Sequence, residues 1–418
     1  MKINPYNYLE NLNVDKMRFG LKSITELLVR LSHPQKSYKT IIIGGTNGKG
    51  STAAMTASIL HQAGYKVGLY TSPHLVDVRE RIVFNGRKIS RNDFNRTIAY
   101  VKDRLGQPVS YFEFLTAVAL VYFQNKKVDI AVLEVGLGGR LDATNVCNPL
   151  VSVITNVAFD HMDYLGDTLE SIAREKAGII KRYGVCITSA NQKTVLNVLQ
   201  DVCLRRQATF YCVGRDIKIK KEKDGWLTYQ GFDHHLKNLK ISLRGHHQLA
   251  NAALALAVIE ICEQKGFYIA DQAILRGLAN TRWDARLEIL HKRPLLVLDG
   301  AHNPAGMKAL CRALKEEFSY RHLILIFSAL ADKDYKKMLQ EIAPLASHII
   351  LTQIKTRRAV PVRELTKCAA KMGYAAAAVE NVRQAIGQAL SLAGKKDLIC
   401  ATGSFYLAGE IKQLFLGC

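Results

Sequence analysis

The sequence predicts an α/β fold in which a mainly parallel sheet is covered by helices on both sides. Short apolar runs alternate with segments of helical period over most of the 418 residues, and several runs are apolar on both faces, as buried parallel strands are. The strands are predicted at residues 38–43, 67–70, 128–133, 150–155, 295–298, 322–327, 348–352 and 397–401. The helices between them are predicted at residues 51–63, 114–124, 169–180, 248–264, 304–318 and 382–392. This alternation is typical of a doubly wound α/β architecture.

Two domains are expected from the chain length and from a change in composition near its middle. Between residues 210 and 243 the sequence becomes polar and basic, and the apolar residues around Trp226 suggest short antiparallel strands. A second strand–helix cycle begins near Pro294 and continues to the end. We therefore expect one domain over about residues 1–290 and a smaller, Rossmann-like α/β domain over about residues 291–418.

The charge balance is the unusual bulk property of this chain. It contains 58 basic and 36 acidic residues, which gives a net charge of +22. The basic residues are spread in short runs, such as residues 218–223 and 355–358, without a basic helix or an aromatic-interleaved RNA motif. We interpret the excess as serving anionic small molecules and expect no nucleic-acid partner. A nucleic-acid-binding NTPase is the alternative that the charge alone suggests.

The apolar segments and the cysteines indicate in which cellular compartment the protein is expected. The longest apolar stretch, residues 249–262, contains Asn251 and Glu260, and it is shorter than the roughly 20 apolar residues that a bilayer requires. The N-terminus lacks the apolar core of a secretory signal. The nine cysteines are scattered and form no Cys-x-x-Cys pair, which is typical of free thiols in a reducing compartment. We expect a cytoplasmic monomer without membrane contact.

A glycine-rich loop, GGTNGKGS at residues 44–51, follows the first strand and precedes a helix. Its glycines allow backbone N–H groups to point at an anion, and the helix N-terminus adds positive charge. Lys49 would reach the β- and γ-phosphates, and the Ser51 hydroxyl would bind Mg²⁺. The loop is shorter than the standard phosphate loop, and an extra glycine separates Lys49 from Ser51. We predict a P-loop-type ATPase domain whose phosphate-binding residues are Gly45, Thr46, Asn47, Gly48, Lys49, Gly50 and Ser51.

Six motifs together resemble the folylpolyglutamate synthase/dihydrofolate synthase family of the Mur ligase superfamily. They are GTNGKGS (45–51), TSPHL (71–75), LEVGLGGRLDATN (133–145), AFDHMDYLG (158–166), REKAGI (174–179) and LDGAHNP (298–304). The motifs follow the family order, and the resemblance covers nearly the whole chain. It implies ATP-dependent joining of glutamate to a carboxylate of a folate-type substrate through an acyl phosphate, with ATP and Mg²⁺. It leaves open whether dihydropteroate, reduced folates or both are accepted.

The resemblance also implies roles for individual residues. Glu134 ends a predicted strand, where ligands bind in open α/β sheets, and it would hold Mg²⁺ with Ser51 and Ser72, whereas His161 would be a ligand of a second metal ion. Lys176 would by default be a solvated helix residue, but the family lysine is commonly carbamylated by CO₂, which requires a neutral amine and a lowered pKa. The residues with implied ATP contacts outside the loop are Asn251, Arg286 and Asp299, which closes the first strand of the C-terminal domain. The implied catalytic residues are Lys49, Lys176 and His302.

The residues that would bind the folate-type substrate and the glutamate are assigned from the same resemblance. The segments implied to line the pterin pocket are Gly20 and Leu21; Ser110, Tyr111, Phe112 and Glu113; and Leu141, Asp142 and Ala143. Tyr111 and Phe112 would stack on a planar ring, or they would belong to the core. His302 and Ser404 are the candidates for binding glutamate. Residues 282–286 (RWDAR) depart from the proline–glycine that the family usually has between Trp and Arg, which leaves the local turn geometry open.

One alternative lies inside the superfamily, namely a Mur-type ligase that acts on another carboxylate substrate. A cell-wall peptide ligase would use a UDP-sugar peptide and would normally carry an N-terminal uridine-binding domain. Because the glycine-rich loop begins at residue 44, we expect no room for such a domain and favour a folate-type substrate.

Overall fold

The computed structural model describes residues 8, 9, 12 and 20–416, and the contacts divide the chain into two compact units. The segments of the first unit are Met1–Pro73, Arg79–Ser242 and Leu249–Thr281, and those of the second are His74–Val78, Leu243–Gln248 and Arg282–Cys418, in each case as far as they are described. The main body of the second unit therefore starts at Arg282. The sequence-based limits, 1–290 and 291–418, stay a prediction about which segments fold independently.

An eight-stranded sheet forms the centre of the first unit. Its strands are β1 (Lys39–Gly44), β2 (Val67–Tyr70), β3 (Ile82–Phe84), β4 (Arg87–Lys88), β5 (Ile130–Glu134), β6 (Val151–Ile154), β7 (Val185–Thr188) and β8 (Thr209–Cys212). The spatial order is β4-β3-β2-β5-β1-β6-β7-β8. At one edge β3 pairs antiparallel with both β2 and β4, and all other pairs are parallel. The carboxyl ends of β2, β5, β1 and β6 therefore lie side by side.

Helices connect and cover these strands. They are α1 (Lys22–Arg30), α2 (Lys49–Gln62), α3 (Arg91–Lys102), α4 (Tyr111–Asn125), α5 (Met162–Leu165), α6 (Leu169–Ala177), α7 (Lys193–Arg206), α8 (His247–Gln264) and α9 (Asp271–Asn280). The central strands are closed to solvent, and Ile41, Ile42 and Ile43 of β1 are 0% exposed. Burial of both strand faces explains the continuous apolar runs of the sequence, because a parallel strand between helices has no solvated side.

The polar, basic region forms a small sheet of its own. Its strands are β9 (Lys218–Lys221), β10 (Leu227–Gln230) and β11 (His235–Leu239), and they pair antiparallel in the order β11-β10-β9. Leu227 and Tyr229 point inward and are buried, whereas Trp226 is exposed. The prediction of short antiparallel strands is confirmed, although the change of character starts later than predicted, because Phe210 still belongs to β8.

The second unit contains a six-stranded sheet. Its strands are β12 (Glu288–Lys292), β13 (Leu295–Leu298), β14 (Leu323–Phe327), β15 (His348–Thr352), β16 (Ala377–Val379) and β17 (Leu398–Thr402), in the order β12-β13-β17-β14-β15-β16. Only β12 runs antiparallel. The helices are α10 (Pro304–Glu317), α11 (Tyr335–Ile342), α12 (Val362–Lys371), α13 (Val382–Leu392) and α14 (Phe405–Leu416). Asp299 follows the second strand of this sheet, not the first, because the unpredicted strand β12 precedes β13.

Two apolar clusters pack on opposite faces of this sheet. One includes Val297, Leu325 and Leu351, and the other includes their strand neighbours Leu296, Ile326 and Ile350. Alternate strand residues point to opposite faces, so both faces are buried. The structure thus confirms the predicted fold class, a mainly parallel α/β unit with a smaller C-terminal α/β unit. Within the described part of the chain, no helix is long and apolar enough to span a bilayer.

Candidate functional site

The glycine-rich loop after β1 is fixed by the segment that follows β6. The backbone N–H groups of Thr46 and Asn47 donate to the carbonyl (2.9 Å) and the side-chain oxygen (3.0 Å) of Asn156. The Thr155 hydroxyl donates to the Asn47 carbonyl at 2.7 Å, and the Ala158 N–H donates to the Thr46 hydroxyl at 3.0 Å. Because β1 and β6 are neighbours, the residues that follow β6 lie beside the loop that follows β1 and hold it in place.

Two glycines of this loop lie where a side chain cannot fit. Gly45 has φ +131°, and a Cβ atom there would lie 1.9 Å from Thr155 Oγ1. Gly48 has φ +86°, and a Cβ atom there would lie 2.3 Å from Asn251 Oδ1. The structure therefore brings Asn251, an implied ATP contact on α8, directly against the loop. The close approach explains why glycine is needed here.

Lys49 and Ser51 lie in the first turn of α2, which begins at Lys49 and not at the predicted Ser51. The Lys49 ammonium donates to the carbonyls of Gly45 (3.2 Å) and Thr46 (3.0 Å). Ser51 is almost fully buried. The first backbone N–H groups of a helix have no partner within the helix, so this turn offers donors and a positive dipole end to a bound phosphate.

Glu134 and Ser72 meet at the carboxyl ends of β5 and β2. The Glu134 carboxylate is buried, and its Oε2 accepts a hydrogen bond from the Ser72 N–H at 3.1 Å. In the register of the sheet, Glu134 lies beside Ile43, so the carboxylate stands at the base of the glycine-rich loop. Carboxylate and hydroxyl oxygens are the ligands that Mg²⁺ prefers. The structure thus brings two of the four predicted metal ligands together.

His161 precedes α5 with a left-handed backbone, φ 52°. Its Nε2 lies 3.8 Å from Asp160 Oδ1, and the imidazole is partly exposed. Among the residues that the structure describes, no three His, Cys, Asp or Glu side chains form a group that could hold a metal ion. A cation bound at Glu134 would therefore need hydroxyl oxygens, such as that of Ser51, and oxygens of a bound phosphate as further ligands.

Lys176 is not the solvated helix residue that its sequence neighbours suggest. It is buried on α6, and its ammonium donates to the Gly45 carbonyl at 3.0 Å. Burial and the nearby Lys49 ammonium lower the pKa of Lys176 to about 7. Two lysines thus converge on one carbonyl of the glycine-rich loop. A neutral fraction of the amine near pH 7 satisfies the condition that reaction with CO₂ sets.

Two of the residues implied to line the pterin pocket start helix α4. The Ser110 hydroxyl accepts from the Glu113 N–H at 3.2 Å, and the Glu113 carboxylate accepts from the Ser110 N–H at 2.7 Å. This reciprocal pair is a capping box, which supplies partners to N–H groups that a helix start leaves unpaired. Their direct contact with folate stays a prediction, and their polar groups already have a structural use.

The aromatic residues between them face different neighbours. The Tyr111 ring lies 5.6 Å from the guanidinium carbon of Arg81. The Phe112 ring packs on Gly136, where a Cβ atom would lie 2.6 Å from Phe112 Cζ, and its centroid is 5.8 Å from that of Tyr70. Both rings are only partly buried, so neither belongs wholly to the core. Gly20 and Leu21 directly precede α1 and are also partly exposed.

Asp142 organises the glycine-rich segment after β5. One carboxylate oxygen accepts from the N–H groups of Gly136 (2.9 Å) and Leu137 (3.0 Å), and the other accepts from the N–H (3.0 Å) and hydroxyl (2.6 Å) of Thr144. Burial raises the pKa of Asp142, and these hydrogen bonds oppose the rise. Since two bonds fall on each oxygen, we infer that Asp142 shapes the segment that presents its neighbours Leu141 and Ala143.

Replacing Asp142 by asparagine should lower the free energy of unfolding by about 2–3 kcal/mol, since the new NH₂ group would face donors that lose their acceptor. Urea unfolding measures this difference, and Asp103→Asn, at an exposed position, is the matched control with little expected change. Unchanged stability together with a raised KM for folate would instead show that the carboxylate binds substrate directly.

The candidate residues of the second unit gather at the carboxyl ends of β13 and β17, which are neighbours. Asp299 is buried, and its two oxygens accept from the N–H groups of Leu287 (3.0 Å) and Ala301 (2.9 Å). Burial raises the pKa of Asp299, and the Arg286 guanidinium and these hydrogen bonds oppose the rise. The carboxylate therefore holds the backbone on both sides of this strand end.

His302 and Ser404 have defined hydrogen bonds. The His302 Nδ1 lies 3.0 Å from the Gly300 carbonyl, and because a carbonyl can only accept, this nitrogen carries the proton. The buried Ser404 hydroxyl accepts from the Leu407 N–H at 3.1 Å and caps α14, which leaves its own proton to donate. Phe405 joins the set, since its ring lies 5.3 Å from the His302 ring and 4.8 Å from the Arg286 guanidinium.

Three of these partners were not predicted from the sequence. Thr155 and Asn156 follow β6 directly, so their strand-end position, the same criterion that singled out Glu134, would have found them. Phe405 carried no local signal, because its role depends on β13 and β17 being neighbours, which the sequence order conceals.

Comparisons with known proteins identify two domain families and several relatives of the whole chain. The Mur ligase middle domain matches residues 43–259, and the Mur ligase, glutamate ligase domain matches residues 285–405. A dihydrofolate synthase/folylpolyglutamate synthase of Bacillus subtilis (strain 168) is 34% identical, over 95% of this chain and 96% of that protein. A folylpolyglutamate synthase of Lacticaseibacillus casei is 37% identical, over 95% of this chain and 94% of that protein.

A solved structure agrees with the sequence relatives. The bifunctional folylpolyglutamate synthase/dihydrofolate synthase of Yersinia pestis, complexed with AMPPNP and a Mn ion, has a TM-score of 0.89 and 30% identity. The match covers 99% of this chain and 97% of that chain. Both domain matches, the full-length relatives and the shared fold agree with the six motifs of the sequence. The chain therefore belongs to the folylpolyglutamate synthase/dihydrofolate synthase family of Mur ligases.

Proposed function

We propose that this chain is an ATP-dependent carbon–nitrogen ligase that adds L-glutamate to folate-type substrates. The acceptors would be tetrahydrofolates, in polyglutamylation, and also dihydropteroate, which would become dihydrofolate. The observation that carries the proposal is the convergence of Lys49 and Lys176 on the Gly45 carbonyl, in a loop where glycine is required. The names of the relatives support both the ligase activity and the two acceptors.

The residues around the glycine-rich loop would serve the first step, in which a carboxylate oxygen of the acceptor attacks the γ-phosphorus of ATP. The backbone N–H groups at the start of α2 and the Lys49 ammonium would neutralise charge on the phosphates. Asn251, which lies against Gly48, would contact the nucleotide beside the loop. The products of this step are ADP and an acyl phosphate of the acceptor.

Oxygen ligands at the strand ends fit a divalent cation. Glu134, with Ser51 and Ser72, would hold Mg²⁺, which when bound draws charge from the phosphate oxygens, and His161 would be a ligand of a second metal ion. The buried Glu134 carboxylate beside the Ser72 N–H is the observation that supports this site, and the relative from Yersinia pestis carries a Mn ion with its ATP analogue. A carbamate on Lys176 would add negative charge at the Gly45 carbonyl and help to organise the cation.

The second unit would serve the nucleotide and glutamate. Arg286 would contact ATP with its guanidinium, and Asp299 would contribute by holding the backbone at Leu287. The Ser404 proton and the His302 Nε2, the nitrogen not engaged by Gly300, would bind the amino acid. The glutamate nitrogen then attacks the acyl carbonyl, an amide forms, and phosphate leaves.

Glutamate incorporation with two acceptors tests the proposal. ATP, Mg²⁺ and labelled glutamate are supplied with either dihydropteroate or a reduced folate that carries one glutamate. We expect incorporation with both, and an acceptor labelled with ¹⁸O in its carboxylate should pass one label to the released phosphate, because that oxygen bridges carbon and phosphorus in the acyl phosphate. Incorporation with neither acceptor would favour the alternative, a Mur-type ligase for another carboxylate, and unlabelled phosphate would refute the mechanism.

The basic charge gives a separate prediction about partners. The exposed face of the β9–β11 sheet carries Lys218 and Lys220, yet we expect duplex DNA and RNA to bind no tighter than about 1 μM at physiological salt and to dissociate as salt rises. Fluorescence anisotropy at several salt concentrations measures this. Sub-micromolar binding that resists salt and saturates at a defined stoichiometry would restore the nucleic-acid alternative. A monomeric state and a cytoplasmic location are further parts of the proposal.

A further inference from the structure

The segment that carries Arg286 has an unusual backbone. Ala285 and Leu287, on either side of Arg286, both adopt left-handed conformations, with φ 51° and φ 48°. Residues with a Cβ atom adopt this conformation only at a cost in energy, so surrounding contacts must enforce it. Ala285 is also completely buried.

Backbone hydrogen bonds hold the two left-handed residues. The Ala285 carbonyl accepts from the Gly300 N–H at 2.9 Å, and the Ala285 N–H donates to Glu288 Oε2 at 2.8 Å. The Leu287 N–H donates to Asp299 Oδ2 at 3.0 Å. With its backbone held on both sides, the Arg286 guanidinium donates back to the Ala285 carbonyl at 3.1 Å and lies 4.8 Å from the Phe405 ring.

Lys412 of helix α14 joins the two acidic residues of this segment. Its ammonium lies 2.7 Å from Asp284 Oδ1 and 2.7 Å from Glu288 Oε1, and only 12% of the side chain is exposed. Burial alone would lower the pKa of Lys412, but the two carboxylates outweigh burial and raise it, so the ammonium is charged. Glu288 thus binds Lys412 with one oxygen and the Ala285 N–H with the other.

We propose that Lys412, through Asp284 and Glu288, is a positioning residue that holds the left-handed turn at Ala285 and thereby aims the Arg286 guanidinium. The inference rests on the proposed function, in which Arg286 contacts ATP. In this role Lys412 would act through Glu288 and not by touching the substrate. It fixes Glu288, Glu288 fixes the Ala285 N–H, and the conformation of Ala285 sets the direction in which the next side chain leaves the backbone.

Replacement of Lys412 by methionine removes the charge and keeps the length of the side chain. We expect the KM for ATP to rise about tenfold, whereas kcat and the KM for glutamate change less than about twofold. Titration with a non-hydrolysable ATP analogue should show the same loss of affinity without turnover. Lys412→Arg should restore the wild-type values, and Lys395→Met, at an exposed position of the same unit, should change none of them.

A second variant tests the link through Ala285. Glycine adopts the left-handed conformation without the Cβ penalty, so the loss of ATP affinity caused by Lys412→Met should be smaller in an Ala285→Gly background. Equal losses in both backgrounds would overturn the proposed route. A fall in kcat with increases in all KM values, together with a lower Tm, would show a structural role for Lys412 and overturn the inference.

Arg286→Ala separates this inference from the function on which it rests. If Arg286→Ala raises the KM for ATP and Lys412→Met does not, Lys412 is not a positioning residue, and the assignment of Arg286 stands. If Arg286→Ala leaves the KM for ATP unchanged, the role of Arg286 and the inference both fall. The ligase activity itself is decided independently by glutamate incorporation.

Discussion

Replacing Lys49 by alanine should lower kcat by about two to three orders of magnitude, because a cation that neutralises phosphate charge acts most strongly in the transition state. The Lys49 ammonium contacts the loop carbonyls of Gly45 and Thr46, so its loss removes charge at the phosphates and leaves the loop fixed by Thr155 and Asn156. Release of ADP at saturating ATP measures kcat.

Lys39→Ala is the matched control for this variant, since Lys39 is exposed at the opposite end of the same strand. It should keep wild-type turnover. Circular dichroism and Tm should be the same in both variants, which separates lost catalysis from lost folding. Turnover close to wild type in Lys49→Ala would remove the assignment of the phosphate loop.

Lys176 should carry a carbamate, and Lys176→Ala should be nearly inactive. The lysine is buried with a pKa of about 7, so the neutral amine that reacts with CO₂ predominates above that pH and is depleted below it. The ¹³C NMR signal of enzyme equilibrated with ¹³CO₂ should therefore strengthen as pH rises through about 7. A small carboxylate should partly restore activity to Lys176→Ala by filling the space of the carbamate.

The methionine variant separates function from stability at this position. Lys176→Met should also be inactive, yet its free energy of unfolding should equal or exceed that of the wild type, because an apolar side chain carries no desolvation cost in a buried site. For the lysine, the folded state binds fewer protons than the unfolded state between about pH 7 and 10.5, so its presence costs stability that is regained as pH rises. An unmodified Lys176 in an active enzyme loaded with ATP would contradict the carbamate.

Local patterns were sufficient for the central strands of both large sheets and for six of the described helices. The helix at residues 382–392 was predicted at its observed limits, Val382–Leu392, because an apolar stripe and flanking polar residues define it. Helices α3, α7 and α9 are among those that were missed, and polar and charged residues dilute their apolar faces. The antiparallel strand β12 was also missed, since its residues are only partly buried.

The candidate site likewise contains features that were predicted from the sequence and features that were not. The glycine-rich loop and Glu134 were found from the sequence, because a strand end followed by glycine or a carboxylate is a local signal. The use of Ser110, Glu113 and Asp142 in structural hydrogen bonds was not foreseen. Residue types alone do not show whether a polar group faces a ligand or an unpaired backbone N–H.

The sequence by itself determined the fold class, the family and the position of the glycine-rich loop, since strand periodicity, glycine spacing and ordered motifs are properties of the chain. Only the tertiary structure decided the environment of each charge. Lys176 is spaced along α6 like a surface residue, and its burial beside Gly45, 131 positions away, lowers its pKa. Lys412 likewise contacts Glu288, from which it is separated by 124 positions in the sequence. Desolvation and charge pairing depend on distances in space, and packing of the whole chain is what sets them.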